Sequence, residues 1–185
     1  MFEEYPKEII LKDGTGVTLR PLREGDGHLL RALYESLTEN DRWFLGVKMG
    51  DPELINGWVI SAAKEKAISI VAALEGDFVG HAMLRRQVYG SRSHIGKIRI
   101  SVAPAFRERR LGTWMLLDLN NIAISMGLEL LVMSMVAGRD KTVMTALEKL
   151  DFSRGAVIEG YLKDKEGSTQ DLVIMMKRLH PGWKT

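Results

Sequence analysis

Arg107, Arg109, Arg110 and Gly112 follow one another closely, just after Val102-Ala103-Pro104 and just before a helical repeat. Those residue types suit phosphate. Guanidinium groups donate charge-assisted hydrogen bonds to phosphate oxygens. The first N–H groups of a helix have no internal partner, and the helix dipole favours negative charge there. Gly112 lets the backbone approach a ligand closely, and Thr113 adds a hydroxyl at the helix start. The segment lacks the Gly-x-x-x-x-Gly-Lys-Ser/Thr of a nucleotide-triphosphate loop and the three spaced glycines of a dinucleotide fingerprint. An ordinary helix start with a basic turn is the competing reading. Arg85, Arg86, Arg92, Lys97 and Arg99 extend the basic character upstream, either as a solvated face or as part of a local anion site.

The elements that must position this turn follow from periodicity. Gly16–Pro21 reads as a short strand ended by proline. Asp26 is placed to cap a helix carrying Leu29, Leu30, Leu33 and Leu37 at helical spacing. Asp51-Pro52-Glu53 opens a second helix with Leu54, Ile55, Trp58 and Val59 on one side, and Pro52 suits its first position. Between them, Asp41–Gly50 reads as an irregular aromatic loop. Ile68–Leu74, the turn Glu75-Gly76-Asp77 and Phe78–Val88 form a hairpin signal, with Ile95–Val102 as the next strand. From Gly112 the period changes: Met115, Leu119, Ile122 and Met126 mark one helical face, Asp118, Asn121 and Ser125 the other, and Gly127 closes the helix. Leu130–Val136 reads as a strand buried on both faces. Lys141–Leu150 reads as a helix with Val143, Leu147 and Leu150 inward, and Ala156–Lys163 with Asp171–Arg178 as a closing hairpin around Lys165-Glu166-Gly167.

Composition narrows the classes. The 185 residues are 45% hydrophobic and 27% charged, a globular balance, and no repeat or linker divides them, so residues 1–185 read as a single domain. The acidic, polar start does not read as a secretory signal, and no run approaches the ~20 apolar residues of a membrane span. The chain has no cysteine, which excludes disulfides, thiolate metal sites and a cysteine nucleophile. A cytoplasmic protein is the expectation, with no membrane or metal partner. A net charge of +2 and the lack of aromatics interleaved with the arginines argue against a nucleic-acid binder.

The segment from Val102-Ala103-Pro104 through Arg107-Glu108-Arg109-Arg110-Leu111-Gly112 to Leu117 resembles the acetyl-CoA motif of the GNAT N-acetyltransferase superfamily, Arg/Gln-x-x-Gly-x-Gly/Ala after Val-x-Pro. His94-x-Gly96-x-Ile98-x-Ile100-x-Val102 is similar to the fourth strand of one branch. Val17–Arg23 with Asp26 resembles the first strand and helix entry of many members, and Glu148–Phe152 stands where the family has Tyr-Glu-Lys-Leu-Gly-Phe. The closing strands resemble those of protein-lysine and ribosomal-protein acetyltransferases. The resemblance implies a mixed α/β fold: a mostly antiparallel sheet of about seven strands, one pair of them splayed, with flanking helices. It implies acetyl-CoA as donor and a primary amine as acceptor, with a weak lean to protein lysine over a small-molecule amine, and it is compatible with a homodimer. Backbone groups near Ile100 and Val102 would hydrogen-bond pantetheine as an added strand. Arg107, Arg109, Arg110, Leu111, Gly112 and Thr113 would wrap the pyrophosphate.

The sequence also departs from the family pattern. Arg110 replaces the first motif glycine, Asp140 the fifth-strand asparagine, and Leu147 the helical tyrosine that protonates the leaving thiolate in many relatives. Lys97 and Arg99 stand near the fourth-strand position where many relatives carry a glutamate base. Candidates for the missing proton chemistry are His94, whose ordinary pKa suits a base, then Glu75 in the hairpin turn, and Tyr161 as a substitute acid. Each has a plainer reading, as a strand-entry, turn or surface residue, and His81 in its apolar strand reads as a packed core residue. Positioning with a water relay is a further route. The alternative to an enzyme is a non-catalytic acyl-CoA-binding domain on the same fold, which the departures favour.

Overall fold

In the computed structural model, which describes residues 3–48, 52–63 and 67–180, the chain builds one eight-stranded sheet in the order β1-β2-β3-β4-β5-β6-β8-β7. The strands are β1 (Lys7–Ile10), β2 (Gly16–Pro21), β3 (Ala67–Leu74), β4 (Asp77–Arg86), β5 (Ile95–Val102), β6 (Leu130–Val136), β7 (Ser153–Lys163) and β8 (Thr169–Arg178). The helices are α1 (Gly27–Ser36), α2 (Glu39–Leu45), α3 (Pro52–Ala63), α4 (Leu111–Ser125) and α5 (Lys141–Glu148). Every pairing is antiparallel except that of β5 with β6.

One face of the sheet turns toward α1 and α3, where Val71 and Phe78 pack with Leu30, Leu33, Tyr34 and Ile55. The other face carries Ile70, Ala82, Leu84 and Ile98 against α4 and α5. On α4, Leu111, Met115, Leu119 and Ile122 are buried, each contributing roughly 1.5–3 kcal/mol of gross burial energy. Gly127 ends that helix as expected, with φ +70.

Several sequence expectations are corrected. β1 adds a strand, because Lys-Glu-Ile-Ile is too short and too charged to show alternation. Asp41–Leu45 are helical rather than looped, since Thr38 and Asp41 form a reciprocal capping box that starts α2; Met49, Gly50 and Asp51 lie outside the described residues. Asp26 stands at the start of α1 without capping it: its carboxylate takes Arg20 (2.7 and 2.9 Å) and the Arg23 N–H (2.7 Å) instead. Asp118 is buried, not solvated, because Tyr5 and Lys7 of the N-terminal segment donate to it. On α5, Met144 is buried and Val143 is 47% exposed. β6 alternates rather than being buried on both faces, with Ser134 exposed.

Candidate functional site

The break in the sheet is the feature that makes a site. β5 and β6 pair in parallel only at Ile95↔Leu130, Gly96↔Leu131 and Lys97↔Val132, whereas β4 pairs with β5 through Val102 and β8 with β6 through Val136. Beyond Lys97 the two strands therefore lack ladder partners on the sides that face each other. Ala103 N–H donates to Val79 of β4 (3.0 Å). Alternation along a strand then turns the peptide groups of Val102 and Ile100 the other way, into the gap. Gly96 fixes the closed end: a Cβ there would come within 2.7 Å of Leu84, 2.9 Å of Leu128 and 3.0 Å of Leu131.

At the open end, β5 runs through a single 3₁₀ turn, Pro104–Phe106, into the basic turn and α4. Arg110 occupies the N-cap position in the left-handed region (φ 68, ψ 9) and its side chain caps nothing. Glycine adopts that conformation without the steric cost an arginine bears. The N-terminal N–H groups of α4 thus have no side-chain cap. Gly112 has ordinary φ, and a Cβ there would meet only Val102, at 3.9 Å. Nothing within the protein requires glycine at that position, and the space in front of it is open.

The arginines divide their roles. Arg107 donates to the Asp41 carboxylate (2.7 Å) and to the Val102 carbonyl (3.2 Å), and Arg109 to Asp13 (2.6 Å). Arg110 has no ion-pair partner among the described residues. Asp41 also accepts from Arg139, which follows β6. One buried carboxylate on α2 therefore joins the segment after β5 to the segment after β6, across the open end of the gap. Burial pushes the Asp41 pKa up, but the Thr38 hydroxyl and the two arginines outweigh it and hold the group down at about 2.

Sequence reasoning missed the polar chain on the α1/α3 face. The buried Tyr34 hydroxyl lies 2.9 Å from His81 Nδ1 and 3.4 Å from Ser101 Oγ, while His81 Nε2 lies 3.2 Å from Ser69 Oγ. His81 is a core residue, as expected. Burial, then the nearby Arg99 charge, push its pKa down to about 3, so it is neutral at ordinary pH. Arg99 stacks on Trp58, its Cζ 4.6 Å from the ring centroid. Only a hydroxyl within an apolar helical stripe hinted at this chain, and a partner 47 positions away leaves no local signal.

The predicted residues are thus partly gathered. Ile100, Val102, Arg107, Arg110, Gly112 and Thr113 surround the open end. Arg109 is beside them but held to Asp13, and the Leu111 side chain is in the core, leaving only its backbone available. His94 is exposed beyond the closed end, where its carbonyl accepts from Glu129 and Leu130. Glu75 is exposed in the β3–β4 turn, and Tyr161 is 64% exposed on β7, separated from β6 by β8. Leu147, at the family's tyrosine position, is buried in the core, and Asp140 accepts the Val136 N–H (2.7 Å). Among the described residues no group of three or more acidic, histidine or cysteine side chains could hold a metal ion, and no helix is long and apolar enough to cross a membrane.

Residues 30–152 match the family model described as the acetyltransferase (GNAT) family. A search of curated protein sequences gives no match. Among solved structures, the ribosomal-protein-alanine N-acetyltransferase of Brucella melitensis is similar over 87% of this chain and 99% of its own, with 22% identity and a TM-score of 0.75. The GNAT domain of S. lividans PAT is similar over 96% and 98%, with 13% identity and a TM-score of 0.76. The structure of yncA from Salmonella typhimurium, solved with its cofactor acetyl-CoA, is similar over 91% and 96%, with 18% identity and a TM-score of 0.75.

Proposed function

Because this chain belongs to the acetyltransferase (GNAT) family, whose members use acetyl-CoA, we propose that it transfers an acetyl group from acetyl-CoA to a primary amine. The observation that carries this reading is the unpaired gap between β5 and β6, opening onto an uncapped helix start with free space at Gly112. An extended pantetheine chain fits such a gap as an added strand, using the peptide groups of Ile100 and Val102. The N–H groups of Leu111, Gly112 and Thr113, with the Arg110 side chain, hold the pyrophosphate. Arg109 shapes the turn through Asp13, and Arg107 meets a phosphate only by giving up Asp41. Bound acetyl-CoA supplies a thioester carbonyl open to attack by a neutral amine.

The chain's own work is positioning. The ammonium proton passes to water, because His94, Glu75 and Tyr161 all lie in exposed positions outside the splayed segment. The protein-lysine lean of the closing strands gives one acceptor class to test, alongside small amines.

Replacement of the family's tyrosine by Leu147, and Lys97 and Arg99 in place of a glutamate, favour a second reading: an acyl-CoA-binding domain without turnover. Thiol release from acetyl-CoA over a panel of amines separates the two. Turnover is expected with the native chain. Gly112→Val is expected to abolish both CoA binding and thiol release with the circular dichroism and melting curve retained, because valine is no worse than glycine in a helix. Normal CoA affinity in that variant excludes this cofactor site. CoA binding with no thiol release on any amine supports the second reading.

A further inference from the structure

The gap between β5 and β6 has one closed face and one open face. Ile98, Leu131 and Met133 belong to the core under α4 and are buried there. Lys97 and Arg99 alternate with Ile98 along β5 and turn the other way, as the Trp58 ring beside the Arg99 guanidinium shows. Val132 pairs with Lys97, so Ser134 shares this face, and both Lys97 and Ser134 are exposed. Met176 and Ile174 of β8 lie beside Val132 and Ser134 in register. An acceptor therefore reaches the gap from this face. There β5 supplies two cations, whereas these β6 and β8 side chains are uncharged.

The charge of these two residues is not neutralised. Among the described residues neither has an ion-pair partner. Arg99 rests on Trp58 and meets the Tyr34 hydroxyl, contacts that hold a guanidinium without cancelling it. Its field is felt by the groups behind it. Burial raises the Tyr34 pKa and Arg99 opposes the rise; burial lowers the His81 pKa and Arg99 lowers it further. β4 places a third cation, Arg85, opposite Lys97, and β8 places Arg178 opposite Leu130 at the closed end. Two carboxylates of the covering helices stand elsewhere. Glu53 of α3 borders, with Arg85, a cavity of about 370 Å³ that no β5 residue lines, and Asp41 of α2 is held by Arg107 and Arg139.

Pyrophosphate at the start of α4, with pantetheine along Val102 and Ile100, directs the thioester toward Arg99 and Lys97. An amine acceptor is an ammonium ion in water, and only its neutral form attacks a carbonyl carbon. Cations close by disfavour the ammonium form. Resting on the acetyltransferase reading, we propose that Lys97 and Arg99 stand in for a general base: their charge makes the acceptor bind as the neutral amine, its extra proton already given to water. The amine nitrogen then bonds to the thioester carbon and the carbon–sulfur bond breaks. One of the nitrogen's hydrogens passes through water to the departing thiolate. Neither residue takes up a proton, and both act by charge alone.

The test uses the full chain and coenzyme A alkylated on its sulfur with an aminopropyl group, which brings an amine to the gap without turnover. The pKa of that amine is read, free and bound, from its nitrogen NMR shift against pH. Bound to the native chain it is expected to lie about one unit or more below its free value. Lys97→Gln and Arg99→Gln are each expected to recover part of the difference, and Arg99→Lys to keep it. Lys97 is exposed, so its variant reads the effect even where Arg99→Gln disturbs Trp58. With acetyl-CoA and an amine that turns over, the apparent pKa of kcat is expected to fall below that of kcat/KM, and the same variants to close the interval. A bound amine whose pKa is not lowered overturns the proposal. So does a lowering that both glutamine variants leave unchanged, which assigns it to burial. Failure to bind CoA sinks the acetyltransferase reading itself, whereas CoA binding with an unshifted amine sinks only the part given to the two cations.

Discussion

At the residue scale, Asp41 shows how much a single side chain can organise. It is 5% exposed and accepts from the Thr38 backbone and hydroxyl, from Arg107 and from Arg139. Its folded pKa, about 2, lies below the unfolded value near 3.8. The unfolded chain therefore takes up the proton first as pH falls. The stabilisation is complete above about pH 4 and is lost as pH drops through about 2. Asp41→Asn is expected to flatten the stability–pH curve in that window and to cost about 1–2 kcal/mol at pH 7, discounted because both arginines are partly solvated. Urea unfolding at pH 7, 4 and 3 measures it; parallel curves for the two proteins would refute the assignment. Asp41 was read as the first residue of a loop, because a capping box led by threonine with aspartate rather than glutamate at the third helical position departs from the usual Ser/Thr-x-x-Glu signal.

At the element scale, the splayed strands depend on a tight vertex and an open end, and two glycines mark them. Gly96→Ala is expected to destabilise the protein by about 1–3 kcal/mol, because Leu128 and Leu131 must retreat from a Cβ that would sit 2.9 and 3.0 Å away. Thermal unfolding should register a fall of several degrees for a chain of this length, and an unchanged melting temperature would show that the vertex is loosely packed. The regular elements were legible: the bounds of β2, β5 and β6 match the sequence reading, because β2 and β5 alternate apolar with polar residues and β6 is a near-continuous apolar run. The turn at Arg107–Thr113 was legible too, since its chemistry is local in sequence. The rest of the site was not. Arg99 read as part of a solvated basic face, and only the packing of α3 on the sheet places it over the Trp58 ring. Asp118 read as a polar helix face because a four-residue edge strand gives no hint of where it docks.

At the scale of the whole molecule, two apolar cores sit on opposite faces of a single sheet, and the gap falls where that sheet ceases to be continuous. α2 lies over this discontinuity, joined to β7 by Trp43 donating to the Lys163 carbonyl (2.7 Å) and to both sides of the gap by Asp41. A carboxylate held there behaves as a tethered competitor. It presents an anion to Arg107 at the millimolar effective concentration of a short linkage, so a phosphate arriving at the turn must displace an occupant that cannot diffuse away. Displacement would also free α2 from the β5 side, so that the donor binds first and the acceptor enters a loosened cover. Removing the tether with Asp41→Asn should then tighten CoA binding several-fold even as it lowers stability, two effects of opposite sign in one variant. Calorimetric titration of CoA decides the matter: weaker binding in the variant would mean that Asp41 builds the turn instead of contesting it.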